Sequence, residues 1–152
     1  MRLQAFTGAL AVSLIASGLA FASTRTPERA RPDLVVSSLS NPPAVSFAGR
    51  SFSVNDRTRN IGRATARATV TQYYLHNSET RFAAGHRSVI RLTAERSSRG
   101  SANAVVLDTV PIGTYSFVAC ADGKGAVRES NERNNCRTAA TKITIKKPPP
   151  PV

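Results

Sequence analysis

Aromatic side chains are scarce in this 152-residue chain, which has three Tyr, six Phe and no Trp. Proteins that hold single-stranded nucleic acid stack its bases on aromatic platforms. No RNA- or DNA-binding motif is present either, so nucleic acid is a poor partner class. Helical periodicity is also missing. Beyond the apolar start of the chain, no segment places apolar residues at i, i+3, i+4 and i+7 over ten residues. Catalytic signatures are absent as well. There is no Gly-x-Ser-x-Gly elbow, His76 and His86 fall in a loop-like region without a matching acid motif, and Gly123-Lys124-Gly125 reads as a loop tip, not a phosphate cradle. An enzyme is therefore not expected.

Acidic residues are few: nine Asp and Glu stand against 21 Lys and Arg, a formal net charge of +12. The only lysines are Lys124, Lys142, Lys146 and Lys147, so most of the charge is arginine. A basic excess on this scale raises the encounter rate with anionic partners. For an exported protein these are phosphorylated or acidic polysaccharide, acidic lipid headgroups or extracellular nucleic acid.

Export is what the start of the chain implies. Met1-Arg2 is a short positive region, Ala5 to Leu19 is apolar and small, and Ala20-Phe21-Ala22 fits a small-x-small cleavage site. The apolar run is interrupted by Gly8, Ser13, Ser17 and Gly18, and it falls short of the roughly 20 strongly apolar residues of a membrane span. The expected division is a signal peptide over 1–22, a polar leader over 23–31, one domain over 32–146 and a Pro-rich extended tail over 147–152. No cysteine follows the apolar segment, which argues against a lipid anchor, and no transmembrane segment is expected after cleavage. The location is thus periplasmic or extracellular.

In an oxidising compartment two thiols persist as a disulfide. Cys120 and Cys136 allow one pairing, which closes a loop of 15 intervening residues. In the chain-entropy treatment such a loop is worth about 3 kcal/mol. Neither His76 nor His86 is at a ligand spacing from the cysteines, so zinc is disfavoured.

Alternating apolar positions and turn signals give seven short strands: Leu34 to Leu39, Ser51 to Asn60, Ala66 to Leu75, Ser88 to Leu92, Ala102 to Leu107, one starting at Gly113, and Arg137 to Ile145. The basic stretch up to Arg87 reads as loop, and Arg96-Ser97-Ser98-Arg99-Gly100-Ser101 as a turn. Strict alternation in the second strand points Asp56 and Thr58 inward. A buried Asp needs a partner, so a bulge near Asp56 or the end of the sheet is expected there. The pattern as a whole is that of an all-β, seven-stranded antiparallel sandwich. In it, Tyr115 stands where such domains tie the preceding corner with a tyrosine hydroxyl; an ordinary core aromatic is the alternative.

Several stretches together resemble the cell-adhesion-related domain found in bacteria, CARDB. They are Pro32-Asp33-Leu34-Val35-Val36, Arg59-Asn60-Ile61-Gly62, Tyr73-Tyr74-Leu75, Pro111-x-Gly113-Thr114-Tyr115, and Cys120-Ala121-Asp122 with Val127-x-Glu129-Ser130-Asn131-Glu132-x-Asn134-Asn135-Cys136. The resemblance covers about Arg31 to Ile145 and implies an immunoglobulin-like seven-stranded antiparallel sandwich in an exported bacterial protein. Asp56-Arg57-Thr58 departs from the more apolar strand common in the family.

Two groups of residues are candidate sites. In the closing motif, Asn131, Asn134 and Asn135 can hold the loop by side-chain bonds to nearby backbone. The sharper alternative is calcium bound by Asp122, Glu129 and Glu132, opposed by Lys124, Arg128 and Arg133 among them. Elsewhere, Arg57 and Arg59 share one face of a strand, with Arg63 and Arg67 in and after the next turn, so that four guanidinium groups can line one edge or face. That stripe can contact anionic surface polymer, or be simply a solvated face. The expected function is a non-enzymatic binding or adhesion module of the cell envelope, with surface glycan, anionic polymer or an envelope protein as partner. The alternative is a periplasmic structural or assembly accessory that binds a partner protein.

Overall fold

The computed structural model describes residues 29–150, so the expected signal peptide, most of the polar leader and the last two residues of the tail lie outside the described residues. Eight strands follow one another: β1 (Leu34–Leu39), β2 (Val45–Phe47), β3 (Ser51–Asn60), β4 (Thr69–His76), β5 (Arg81–Val89), β6 (Ser97–Val105), β7 (Gly113–Cys120) and β8 (Cys136–Lys146). They form a three-stranded sheet in the order β1-β3-β6 and a five-stranded sheet in the order β2-β8-β7-β4-β5. All pairings are antiparallel except β2 with β8, which is parallel. The all-β sandwich expected from the sequence is the observed class. It has one strand more than expected, because β2 is a three-residue edge piece between Pro43 and Gly49, too short to show alternation.

The core lies where the period-2 pattern puts it. Leu34 and Val36 of β1, Val54 of β3, Tyr73 and Leu75 of β4, Tyr115 and Phe117 of β7, and Ile143 and Ile145 of β8 are all buried. Each such side chain contributes about 1.5–3 kcal/mol by leaving water. Phe117 is central: Phe52 meets it edge-on at 5.2 Å from the opposite sheet, and Tyr73 lies at 5.9 Å beside it. The Tyr115 hydroxyl donates to the Pro111 carbonyl at 2.9 Å, tying the corner before β7.

Two stretches differ from the sequence expectation, for one physical reason. The loop expected before Arg87 is most of β5, and the turn expected at 96–101 is the first half of β6. Both strands are edges; on β5 the apolar inward residues Phe82 and Val89 are separated by Arg87 and by Ala84, which is out of register, and on β6 the inward positions start with Ser98, Gly100 and Ala102. Apolar alternation is therefore invisible there. A shift in the β4–β5 register at Tyr73/Tyr74 makes Ala84 an extra residue beside Gly85, whose φ of 113° suits a residue without Cβ. Ala66 forms only an isolated bridge with Leu92, so β4 starts later and β5 ends earlier than expected.

The space left by the small residues is filled by Arg87. A Cβ added at Gly100 would lie 2.8 Å from Arg87 Cδ, so glycine makes the room. Arg87 grips Asp56 with both arms of its fork, Nε to Oδ2 at 2.8 Å and Nη2 to Oδ1 at 2.5 Å, and its Nη1 donates to Ser98 Oγ at 3.2 Å. The Tyr73 hydroxyl donates to Asp56 Oδ2, and Thr58 bonds Thr71 one layer along. Asp56 thus neither ends its sheet nor sits on a bulge in β3, which pairs with β6 without a slip from Ser51 to Arg59. The register shift lies in β1 instead, between Val36 and Ser38. The aspartate is buried because both sheets supply its partners.

Candidate functional site

Pointing Asp56 and Thr58 inward forces Arg57 and Arg59 outward, onto the solvent face of the three-stranded sheet. Across the ladder, Arg57 faces Ser38 on β1 and Arg99 on β6, and Arg59 faces Val35 and Ser97. The rest of that face on β3 and β6 is Ser51, Ser53, Asn55, Ser101, Asn103 and Val105. It is a strip of hydroxyl and amide side chains crossed by arginines, with no acid on this face of the paired strands. Glu95 at its end takes Arg59 in an exposed ion pair at 2.5 Å.

The expected row of four arginines is only half assembled. Arg63 is exposed at the turn after β3 and lines a concavity of about 290 Å³ with Arg29, Arg31, Asp33 and Ser130. Arg67 donates to the Ala126 carbonyl in the 121–135 connection. Arg99 is the member that sequence reasoning missed. It lies in the stretch read as a turn, and only the β3–β6 register puts it opposite Arg57.

The connection between β7 and β8 is held by its own polar side chains. Both Asp122 oxygens accept backbone N–H bonds, Oδ1 from Ala126 at 2.9 Å and Oδ2 from Val127 at 2.8 Å, and Oδ1 also accepts from the Thr69 hydroxyl. Glu129, 2% exposed, accepts from Leu34 N of β1 and from Asn135 Nδ2 at 2.8 Å. Burial pushes its carboxyl up to about 7, and the nearby Glu132 and Asp122 push in the same direction against those two donors. Glu132 Oε1 accepts from Glu129 N at 2.9 Å, and Asn131 Oδ1 from Arg133 N at 3.0 Å. Asn134 Nδ2 and Ser130 Oγ both donate to Asp33. The loop is therefore docked on the start of β1, next to Asn60. That buried side chain accepts from Asp33 N and Gly62 N and donates to the Ala64 and Leu92 carbonyls.

This geometry bears on the calcium alternative. The oxygens of Asp122 and Glu129 are aimed at protein donors, and among the described residues no three His, Cys, Asp or Glu side chains converge. Calcium takes 6–8 oxygens, and Asp122, Glu129 and Glu132 as placed do not fit that demand. Cys120 and Cys136 are opposite one another across β7 and β8 and are bonded, closing the loop at its base.

On the other sheet, His86 faces Gln72, while His76 faces Arg81 and Ser116, both on the solvent side. Arg81 lies over the Tyr74 ring at 4.0 Å. Among the described residues no helix is long and apolar enough to cross a membrane.

The CARDB family model matches residues 31–139. Among solved structures, the CARDB domain of a Pyrococcus furiosus protein in complex with di-metal ions is 22% identical, with a TM-score of 0.53 over 76% of this chain and 94% of that one. A domain of a Methanosarcina acetivorans protein, whose name assigns it to the cell surface, is 22% identical, with a TM-score of 0.54 over 76% of this chain and 93% of that one. A β-glucosidase from Erythrobacter marinus is 16% identical, with a TM-score of 0.51 over 76% of this chain but only 16% of the enzyme. At these identities the likeness is one of fold. No curated protein matches.

Proposed function

The chain belongs to the CARDB family, whose domains are non-catalytic and associated with the cell surface, and on that premise we propose that it is an exported adhesion module that binds anionic polymer of the cell envelope. The observation that carries this reading is the solvent face of the three-stranded sheet. There Arg57 and Arg59 on the doubly paired β3, and Arg99 on the neighbouring edge strand β6, stand among serines and asparagines. Flat polar strips of this kind suit an extended, hydroxyl-rich chain, and the formal charge of +12 adds long-range attraction to an anionic one. The start of the sequence supports export, and the Cys120–Cys136 bond suits an oxidising compartment.

The metal ions of the Pyrococcus furiosus relative have no part in the proposal, because the carboxylates here are bonded to protein donors. Calorimetric titration at millimolar calcium is accordingly expected to show no heat.

Retention of the exported form on immobilised anionic polysaccharide tests the reading directly. Binding that weakens steadily with added salt yet persists at physiological ionic strength is the expected result. Failure to bind any anionic polymer would end it.

A further inference from the structure

The solvent face of the three-stranded sheet has one position where charge is left uncompensated. The unbroken β3–β6 register puts Arg57 directly opposite Arg99. Opposed residues on one face have Cβ atoms about 4.5–5.5 Å apart, and like charges at that spacing repel. Two residues along, Arg59 is neutralised by Glu95. By contrast, among the described residues neither Arg57 nor Arg99 has a side-chain hydrogen bond or an ion pair, and Arg57 Nε is buried without a partner. β1 ends at Leu39, opposite Asp56; Ser40 still bonds Asn55 through its N–H and its hydroxyl, and no strand pairs with that flank of β3 beyond it. Beside the pair the surface opens into a concavity of about 660 Å³, lined by Arg99, Ser38, Ser40, Asn55 and Ser101 and also by Asp56, whose carboxylate is held by Arg87.

Resting on the adhesion reading and deepening it, we propose that the Arg57–Arg99 pair seats one phosphate of a phosphodiester-linked sugar or polyol polymer, and that the serines and asparagine of the adjoining concavity take the hydroxyls of the next repeat. The stoichiometry of donors selects the anion. Each guanidinium presents five N–H groups in a planar fork, and a single fork already satisfies a carboxylate bidentately. Two forks presented from opposed positions on neighbouring strands suit an anion with more acceptor oxygens, and a phosphodiester offers two non-bridging oxygens that share one negative charge and two ester oxygens. A phosphate between the arginines also cancels the repulsion that the free pair endures.

The test is surface plasmon resonance of the exported form over immobilised poly(glycerol phosphate), with polygalacturonate and phosphatidylglycerol vesicles as parallel surfaces. Two double variants are compared, Arg57→Ser/Arg99→Ser and the charge-matched Arg128→Ser/Arg133→Ser in the exposed β7–β8 connection. The expected result is that wild type and the loop variant bind poly(glycerol phosphate) alike, while the pair variant loses about ten-fold or more in affinity. Equal losses in the two variants would overturn the seat and leave general anion binding standing. Tighter binding of wild type to polygalacturonate or to the vesicles would overturn the phosphate polymer as ligand. No binding of wild type to either polymer would overturn the adhesion reading itself.

Discussion

Of the four carboxylates buried among the described residues, Asp33, Asp56, Asp122 and Glu129, two are held in opposite ways. Asp56, 4% exposed, has a guanidinium gripping both oxygens and a phenol hydroxyl besides. Glu129, 2% exposed, has a backbone N–H and an amide, with no cation. The first joins the sheets: Asp56 comes from β3, Tyr73 from β4, and Arg87 from β5, with Ser98 of β6 bonded behind it. Its hydrogen bond to Asp56 holds Arg87 above its ordinary pKa, and burial together with the Asp56 carboxylate raises the Tyr73 phenol, so that both remain donors. The second latches a loop onto β1, and burial holds its carboxyl near neutrality. A buried acid tolerates desolvation as a stable anion when a full counter-charge meets it; with neutral donors alone it retains its proton to higher pH.

The sharpest way to break the comparison is to remove the cation. Arg87→Ala leaves the Asp56 carboxylate buried without counter-charge, and urea unfolding is expected to show a loss of about 3–5 kcal/mol. Asp56→Asn/Arg87→Met, which removes both charges, should recover much of that loss. If the double variant is as unstable as the single one, the pair is not the reason.

A smaller effect comes from wedging the pair apart. Gly100→Ala puts a methyl group against the Arg87 stem, which its bidentate grip on Asp56 prevents from moving freely. A loss of about 1–3 kcal/mol is expected by the same measurement.

At Glu129 the comparison becomes one of pH. With a folded value of about 7 against an ordinary 4.5, the folded state keeps a proton that the unfolded state releases. The resulting stabilisation is complete below the ordinary value and is lost as pH rises through 7. Wild type should lose about 2–3 kcal/mol between about pH 5 and about pH 8. Glu129→Gln, which cannot titrate, should lack that slope in melting temperature. Parallel profiles for the two proteins would refute the assignment.

The smallest effect is expected next door to the largest. Arg57→Ser/Arg99→Ser, on the other face of the strand that carries Asp56, should change stability by no more than about 0.5 kcal/mol. Even a slight gain is consistent, since like charges are separated. A large loss would mean that these arginines serve the fold and not a ligand.

How far the sequence can be read follows the same division. β1 and β3 have the expected bounds, and Gly113 starts β7 as expected, because large apolar residues alternate there with polar ones and turn residues close the ends. The tie from Tyr115 to Pro111, one of the two readings of that residue, and the backbone bonds of Asp122 were legible because their partners are near in sequence, whereas the bonds of Glu129, Ser130 and Asn134 to the start of β1 were not. β5 and the start of β6 were not legible either, because Ala84 and Arg87 interrupt the apolar inward residues of β5, and the inward residues at the start of β6 are small to admit Arg87. Arg57 and Arg59 could be placed on one face from their spacing, whereas Arg63 and Arg67 could not be kept from it by any local rule.

By itself, then, the sequence determined the class, most of the strands and the family, since alternation, turn chemistry and the closing motif act over a few residues at a time. Only the tertiary structure decided that Asp56 meets Arg87, 31 positions away, and that Arg99 faces Arg57 across a ladder. Both depend on strand register and on how the two sheets close at their edge. Register is set by the sum of all pairings in a sheet, so no single stretch of the chain encodes it.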